Sequence, residues 1–109
     1  MELDVLKEAI KNRRPIRFQY NKPGKTPGIR IGEPHAVFIM RKKDESESTK
    51  VHIVQTAGVS DSGQELPSFR MFDLEELSDV SIDDSGAPFS PSPQYNPQWD
   101  GYKFVIAKI

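Results

Sequence analysis

The sequence predicts a mostly β fold that begins with one short helix. Apolar residues recur at three- and four-residue spacing from Leu3 to Ile10, which is the pattern of an amphipathic helix. Pro15 ends this helix, because a proline disfavours the helical conformation of the residue before it. Several short segments then alternate apolar and polar residues, as half-buried strands do. A helix followed by short strands indicates a small, strongly bent antiparallel β-barrel.

Six regions carry the strand pattern, and turn residues separate them. Residues 16–20 alternate strictly, and two Pro-Gly pairs then require the chain to turn. Residues 29–40 are expected to form one strongly bent strand or two, since Pro34 cannot donate a hydrogen bond to a neighbouring strand. Further strands are predicted at 50–56, 68–73, 80–82 and 102–107, with a hairpin tip at 41–49 and one helical turn at 73–77. The residues expected in the core are Ile16, Phe18, Val37, Ile39, Val51, Ile53, Phe72 and Leu74.

The length of 109 residues suits one domain. Residues 1–87 are predicted to form the helix and barrel. Residues 88–109 are predicted to form a proline-rich extension and a final strand on the same domain, because prolines cannot pair regularly within a central strand.

Composition excludes several classes of protein. The longest apolar run, residues 36–40, is far shorter than the roughly 20 residues of a membrane-spanning helix. The N-terminus is acidic and lacks the pattern of a secretory signal. The absence of cysteine excludes disulfide bonds and thiolate chemistry and fits a reducing compartment. The sequence therefore predicts a cytoplasmic protein that makes no contact with a membrane.

The charges divide unevenly along the chain. Residues 1–50 carry a net charge of +5, and residues 51–109 carry a net charge of −6. This asymmetry indicates either a basic face for an anionic partner or two opposed faces that meet in self-association. Folding can also mix the two halves and cancel the field.

Catalytic and metal-binding patterns are missing from the sequence. The histidines His35 and His52 lie 17 residues apart without a spaced acidic partner, which argues against a zinc site. Asp83 and Asp84 stand beside Ser85-Gly86 and are typical of a turn. Residues 58–63 lack the Lys-Ser/Thr that completes a phosphate-binding loop. We therefore predict no enzyme activity, no metal and no cofactor.

Arginines and aromatic residues are the more informative groups. Arg17, Arg30 and Arg70 stand singly on predicted strands, where side chains point in fixed directions suited to binding phosphate or carboxylate. Each of them also suits an ordinary surface ion pair. The aromatic side chains that can stack on nucleic-acid bases are Tyr20, His35, Tyr95 and Trp99. Phe69 and Phe72 are expected to lie in the core.

Several blocks occur in an order that resembles a known family. An apolar helix leads into a basic pair and a strand, and Arg30 with Glu33-Pro34-His35 follows. Residues 55–60 and 68–77 complete the series. This order resembles the WYL domain over about residues 3–90, a family whose blocks read A-I-x-x-x-x-x-I-x-F-x-Y, then R-x-x-x-P-H, then W-R-x-F-x-L-x-x-I. The Trp-Tyr-Leu triplet itself is replaced by Val51-His52-Ile53, and Phe69 stands where the family often has Trp.

The resemblance implies an Sm-like small β-barrel preceded by a helix. Members of the family are mostly bacterial transcription regulators that sense a ligand, often a nucleic acid or a nucleotide. Carried over residue by residue, the resemblance implies a ligand-binding set on this chain: Arg30, His35, Gln55, Ser60, Arg70 and Tyr20.

These observations predict a ligand-sensing regulatory domain that binds an anionic ligand, either single-stranded nucleic acid or a nucleotide. Arg30 and Arg70 are expected to share one groove, with the glycines of residues 58–63 letting the ligand approach the backbone. The expected protein partner is a second copy of the chain or another regulatory protein. The alternative is a protein-interaction module without a small ligand, which would use the acidic C-terminal half or an exposed strand edge.

Overall fold

A computed structural model describes residues 2–21, 23–24, 26–41, 43, 46–59, 66–83 and 88–109. The predicted helix, α1, spans Glu2–Asn12. It ends in a Schellman motif, in which Arg13 takes a left-handed conformation (φ 53°) and the Arg14 N–H donates to the Ala9 carbonyl at 2.8 Å. Pro15 follows, so the predicted helix stop is confirmed. Among the described residues no helix has the length and apolar character that a membrane span requires.

In the described part of the chain six antiparallel strands form one sheet, so the predicted mostly β class is confirmed. The order along the main path is β4-β3-β2-β1-β5, and β6 lies beside β2. Two 3-10 turns, Leu74–Glu76 and Asp100–Tyr102, precede β5 and β6. The strands are β1 (Ile16–Tyr20), β2 (Ile29–Arg41), β3 (Glu47–Gly58), β4 (Ser68–Asp73), β5 (Leu77–Ile82) and β6 (Phe104–Lys108).

The central strand, β2, is one bent strand, which was one of the two forms expected. Its register shifts between Ile31 and Gly32 and again between Pro34 and Ala36. Such bulges bend a strand and increase its twist. The first half of β2 therefore pairs with β1, whereas the second half pairs with β6. The expected hairpin tip at 41–49 is shorter than predicted, because β3 already begins at Glu47.

The sheet is open, so the predicted closure into a barrel is not observed. Within the described residues, β4 pairs only with β3 and β5 pairs only with β1. The turn Leu74–Glu76 carries the chain directly from β4 to β5, at opposite ends of the strand order. The two strands therefore do not fold back on each other as a hairpin would.

The residues that the structure describes form two hydrophobic clusters. The larger one joins α1 to β1, β2, β3, β4 and β5, and it contains six of the eight predicted core residues. Ile39 and Leu74 are only partly buried, because they lie near the ends of their elements. The smaller cluster contains Ala36, Phe38 and Tyr102, with Met40 and Tyr95 packed against it. The C-terminal extension therefore contributes to a second apolar region.

Candidate functional site

Arg30 lies at the centre of a buried polar network. It stands opposite Phe18 in the β1–β2 pairing, and its side chain is 0% exposed. Its Nη1 donates to Gln55 Oε1 at 3.3 Å, and its Nη2 donates to the Thr26 carbonyl at 3.2 Å. Its guanidinium carbon lies 5.7 Å from the centroid of the Tyr20 ring. Three of the predicted site residues, Arg30, Gln55 and Tyr20, are thus brought together.

Gln55 extends this network to the end of β3. Its Nε2 donates to the Val59 carbonyl at 2.7 Å and to the Ala57 carbonyl at 3.3 Å. Gly58 between them has a φ of +94°, and a Cβ there would lie 2.3 Å from the Ile29 carbonyl oxygen. Burial of a guanidinium is costly unless it is hydrogen-bonded. In this conformation Arg30 and Gln55 therefore hold β2 and β3 together, away from solvent.

Arg70 lies on the same side of the sheet as this network. It pairs with Ile53 across the β3–β4 ladder, next to the Gln55–Ser68 pair. Its Nε donates to Ser68 Oγ at 2.7 Å, and its side chain is half-buried. A common anion site of Arg30 and Arg70 stays a prediction. Ser60, another member of the predicted set, lies outside the described residues.

His35 is held by the C-terminal extension and not by the Arg30 network. Its Nε2 accepts a hydrogen bond from the Ser92 N–H at 2.9 Å, so its Nδ1 carries the proton and donates to the Glu33 carbonyl at 2.8 Å. The Phe89 ring stacks on it at 5.2 Å. Burial lowers the pKa of His35. The side chain is therefore a neutral anchor for the proline-rich segment.

A cleft lined with aromatic side chains opens on the side of the smaller hydrophobic cluster. We call it the aromatic cleft, and its volume is about 210 Å³. The centroid of the His52 ring lies 4.9 Å from the ring centroid of Phe69, 5.4 Å from that of Trp99 and 5.5 Å from that of Tyr102. The side chains that line the cleft are His52, Phe69, Gln94, Asn96, Trp99 and Tyr102.

The polar groups inside the aromatic cleft are uncharged near neutral pH. His52 Nδ1 and Tyr102 Oη form a hydrogen bond of 2.6 Å. Burial, with a smaller contribution from His35, lowers the pKa of His52 to about 4. Burial, with a smaller contribution from Tyr95, raises the pKa of Tyr102 to about 12. The pair therefore offers flat, neutral surfaces and is poorly suited to proton transfer near neutral pH.

A second cleft shares the Trp99 side chain with the first. We call it the Phe104 cleft, and its volume is about 540 Å³. Trp99 is 40% exposed and Phe104 is 51% exposed. The guanidinium carbon of Arg41 lies 5.5 Å from the centroid of the Phe104 ring. The residues that line this cleft are Ile39, Met40, Arg41, Trp99, Asp100, Gly101, Lys103 and Phe104.

Sequence reasoning found only part of these clefts. Of the predicted stacking residues Tyr20, His35, Tyr95 and Trp99, the described linings of the clefts include Trp99 alone. The sequence also predicts Phe69 in the core. Phe69 instead lines the aromatic cleft, whereas Phe72 is buried in the larger cluster as expected. For His52 the sequence predicts a place on the strand at 50–56 and argues against a zinc site, and it does not identify His52 as a cleft residue. The available signal was the alternation in β3, which directs His52 to the face opposite Val51 and Ile53.

The described residues offer no metal-binding group, since no three histidine, cysteine, aspartate or glutamate side chains converge within them. Comparison with protein-family models, with curated proteins and with solved structures finds no match for this chain. The resemblance to the WYL domain therefore rests on the sequence blocks alone.

Proposed function

We propose that this chain is a ligand-sensing domain. Its ligand is a nucleotide or a single-stranded nucleic acid, either of which carries both a flat base and a phosphate. The observation that carries the proposal is the position of Trp99 between the aromatic cleft and the Phe104 cleft. Aromatic side chains beside cationic ones are the usual composition of surfaces that bind unpaired bases. Arg41 and Lys103 supply the cations here.

The aromatic cleft has the dimensions and polarity that suit one base. Its volume of about 210 Å³ lies below the roughly 300–1,000 Å³ of pockets for drug-sized ligands. Of the described residues that line it, none carries a charge near neutral pH, which lowers the cost of burying a neutral ring. Gln94 and Asn96 add amide groups at the same cleft. Amides can form hydrogen bonds with the edge of a base.

The proposal is tested through the fluorescence of Trp99, which is the chain's one tryptophan. The protein is titrated with AMP, UMP, and short DNA and RNA strands at about 50 and 200 mM salt, because phosphate contacts weaken steeply with salt. We expect saturable quenching by at least one of these probes, and weaker binding at the higher salt. Heparin, a polyanion without bases, is the control. Absence of quenching by every nucleotide and strand, or equal quenching by heparin, contradicts the proposal.

One observation favours the alternative of a protein-interaction module. Over the described residues β6 has a strand neighbour on one side only, β2, and its residues Phe104 and Val105 are 51% and 37% exposed. An extended segment of a second copy or of another protein can add to such an edge. Self-association that persists at moderate salt in light scattering, without any binding of nucleotides or strands, would favour this alternative.

A further inference from the structure

We infer that His35 is a pH-sensitive switch: protonation of its ring detaches the C-terminal extension, residues 88–109, from the sheet. The aromatic cleft and the Phe104 cleft both lie between the extension and the sheet, so acid takes both of them apart. This conformational change does not depend on which ligand the clefts bind.

Both nitrogens of the His35 ring have fixed roles in hydrogen bonding. Nδ1 lies 2.8 Å from the Glu33 carbonyl oxygen, which can only accept, and Nε2 lies 2.9 Å from the Ser92 backbone nitrogen, which can only donate. The neutral ring with its proton on Nδ1 satisfies both contacts. A second proton on Nε2 would set two N–H groups against each other at 2.9 Å. The protonated ring therefore cannot keep its contact with Ser92.

The surroundings of His35 disfavour a positive charge. The residue is 0% exposed. The rings that pack against it are those of Phe69, Phe89 and Tyr95. The titratable residues around it in the described structure are Glu33 on β2, His52 on β3 and Tyr95 on the extension. A charge on His52 opposes one on His35, and the Glu33 carboxylate forms no ion pair with the ring. Burial outweighs the Glu33 carbonyl, so the pKa of His35 is lowered.

The C-terminal extension can leave the sheet as one unit. The Tyr95 hydroxyl donates to the Ile109 carbonyl at 2.8 Å, and Lys108 Nζ donates to the Pro97 carbonyl at 2.8 Å, so the proline-rich part is bonded to the end of β6. The buried members of the larger hydrophobic cluster, as described, all lie within residues 6–77. Segments with few buried contacts to the main core open locally before the whole domain unfolds. Loss of the extension therefore leaves α1 and β1–β5 with their own core.

Detachment also exposes the second histidine to water. His52 and Phe69 form the sheet side of the aromatic cleft, whereas the other described lining residues belong to the extension. In the detached form both histidines regain an ordinary pKa of about 6.5. The attached form holds them neutral, so the extension is fully attached above this pH and is released as the pH falls below it. For each histidine held neutral, one pH unit multiplies the ratio of detached to attached protein by up to about tenfold.

Hydrogen exchange followed by mass spectrometry at pH 7, 6 and 5 measures the detachment in the intact chain, with rates corrected for the pH dependence of intrinsic exchange. We expect residues 104–108 to exchange at least about tenfold faster at pH 5 than at pH 7, while residues 16–20 and 50–56 keep their protection. The emission of Trp99, the chain's one tryptophan, is expected to shift to longer wavelength over the same range. Unchanged protection of residues 104–108, or equal loss of protection in all three strands, would overturn the inference.

Matched histidine variants separate His35 from its neighbour. His35→Gln is expected to keep residues 104–108 protected at pH 5, because an amide oxygen can accept the Ser92 N–H but does not titrate. His52→Gln is expected to retain acid-induced exchange, since His35 still titrates. Circular dichroism at pH 7 establishes that each variant is folded. A pH response that survives His35→Gln and disappears in His52→Gln would assign the change to His52 and contradict the inference.

A second pair of variants leaves the His35 ring in place. Ser92→Pro removes the N–H that His35 accepts and is expected to speed the exchange of residues 104–108 several-fold already at pH 7. Ser92→Ala keeps this N–H and is expected to behave as the wild type does. Equal exchange in the two Ser92 variants at pH 7 would show that the contact with His35 does not hold the extension, and the inference would then be wrong.

Discussion

The buried His52 is expected to make the stability of the fold depend on pH. Burial lowers its pKa in the folded protein to about 4, against about 6.5 in an unfolded chain. Between these values the unfolded chain binds more protons than the folded one, so the free energy of unfolding rises with pH. The stabilisation is complete above about pH 6.5 and is lost progressively as the pH falls toward 4.

The magnitude follows from the size of the pKa shift. Each unit of difference corresponds to about 1.4 kcal/mol, so His52 alone accounts for a loss of about 3 kcal/mol between pH 7 and pH 4. Native domains have a free energy of unfolding of about 5–15 kcal/mol, so this loss is a large part of the total. Acidification from pH 7 to pH 4 is therefore expected to lower markedly the urea concentration at which half of the protein is unfolded.

Urea unfolding at pH 7, 6, 5 and 4, followed by circular dichroism, measures this dependence. The matched variant is His52→Gln, because a glutamine amide can form the hydrogen bond with Tyr102 Oη in either direction but does not titrate. The lowered pKa of His35 and the raised pKa of Glu33 also affect the curve, and both side chains are present in wild type and variant. The difference between the two curves therefore reports the titration of His52 together with its smaller interaction with His35. Parallel curves for the two proteins would refute the reasoning.

Further predictions concern the Arg30 network. Gly58→Ala is expected to lower the free energy of unfolding in urea by about 2–3 kcal/mol, because a side chain strains the left-handed φ and the new Cβ would meet the Ile29 carbonyl. A loss below about 1 kcal/mol would contradict this prediction. Arg30→Leu is expected to cost about 2–4 kcal/mol, since it leaves the buried Gln55 oxygen without its donor. Arg70→Ala is expected to cost less than about 1 kcal/mol because the side chain is half-buried. The sequence also predicts that Arg70 binds the ligand, although it lies on the face opposite His52. A loss of affinity of about tenfold to a hundredfold for this variant would therefore place the ligand at Arg70 and not at the clefts beside Trp99.

Local sequence patterns determined the elements of secondary structure. The helix end at Pro15, the strand Ile16–Tyr20 and the strand Ser68–Asp73 follow from residue spacing and from the backbone limits of proline, and the structure confirms each of them. The bend in β2 at Pro34 follows from the same limits. These features depend on neighbouring residues along the chain, which a single sequence shows directly.

Tertiary structure alone decided how the polar residues are used. The sequence identified Arg30 and Gln55 as ligand-binding candidates, but only the β2–β3 pairing shows that the two side chains bond to each other without exposure to solvent. Alternation along a strand tells which residues share a face. It does not tell whether a neighbouring element covers that face or satisfies its hydrogen bonds.

The same reason explains the clefts and the open sheet. His52 and Trp99 are 47 residues apart in sequence, and they meet because β6 pairs with the second half of β2 and brings the C-terminal extension across β3. Whether β4 pairs with β5 also depends on where the two strands lie in the sheet, not on the residues within them. Contacts between distant segments depend on the free energy of the whole fold, whereas spacing patterns along a sequence report only local preferences.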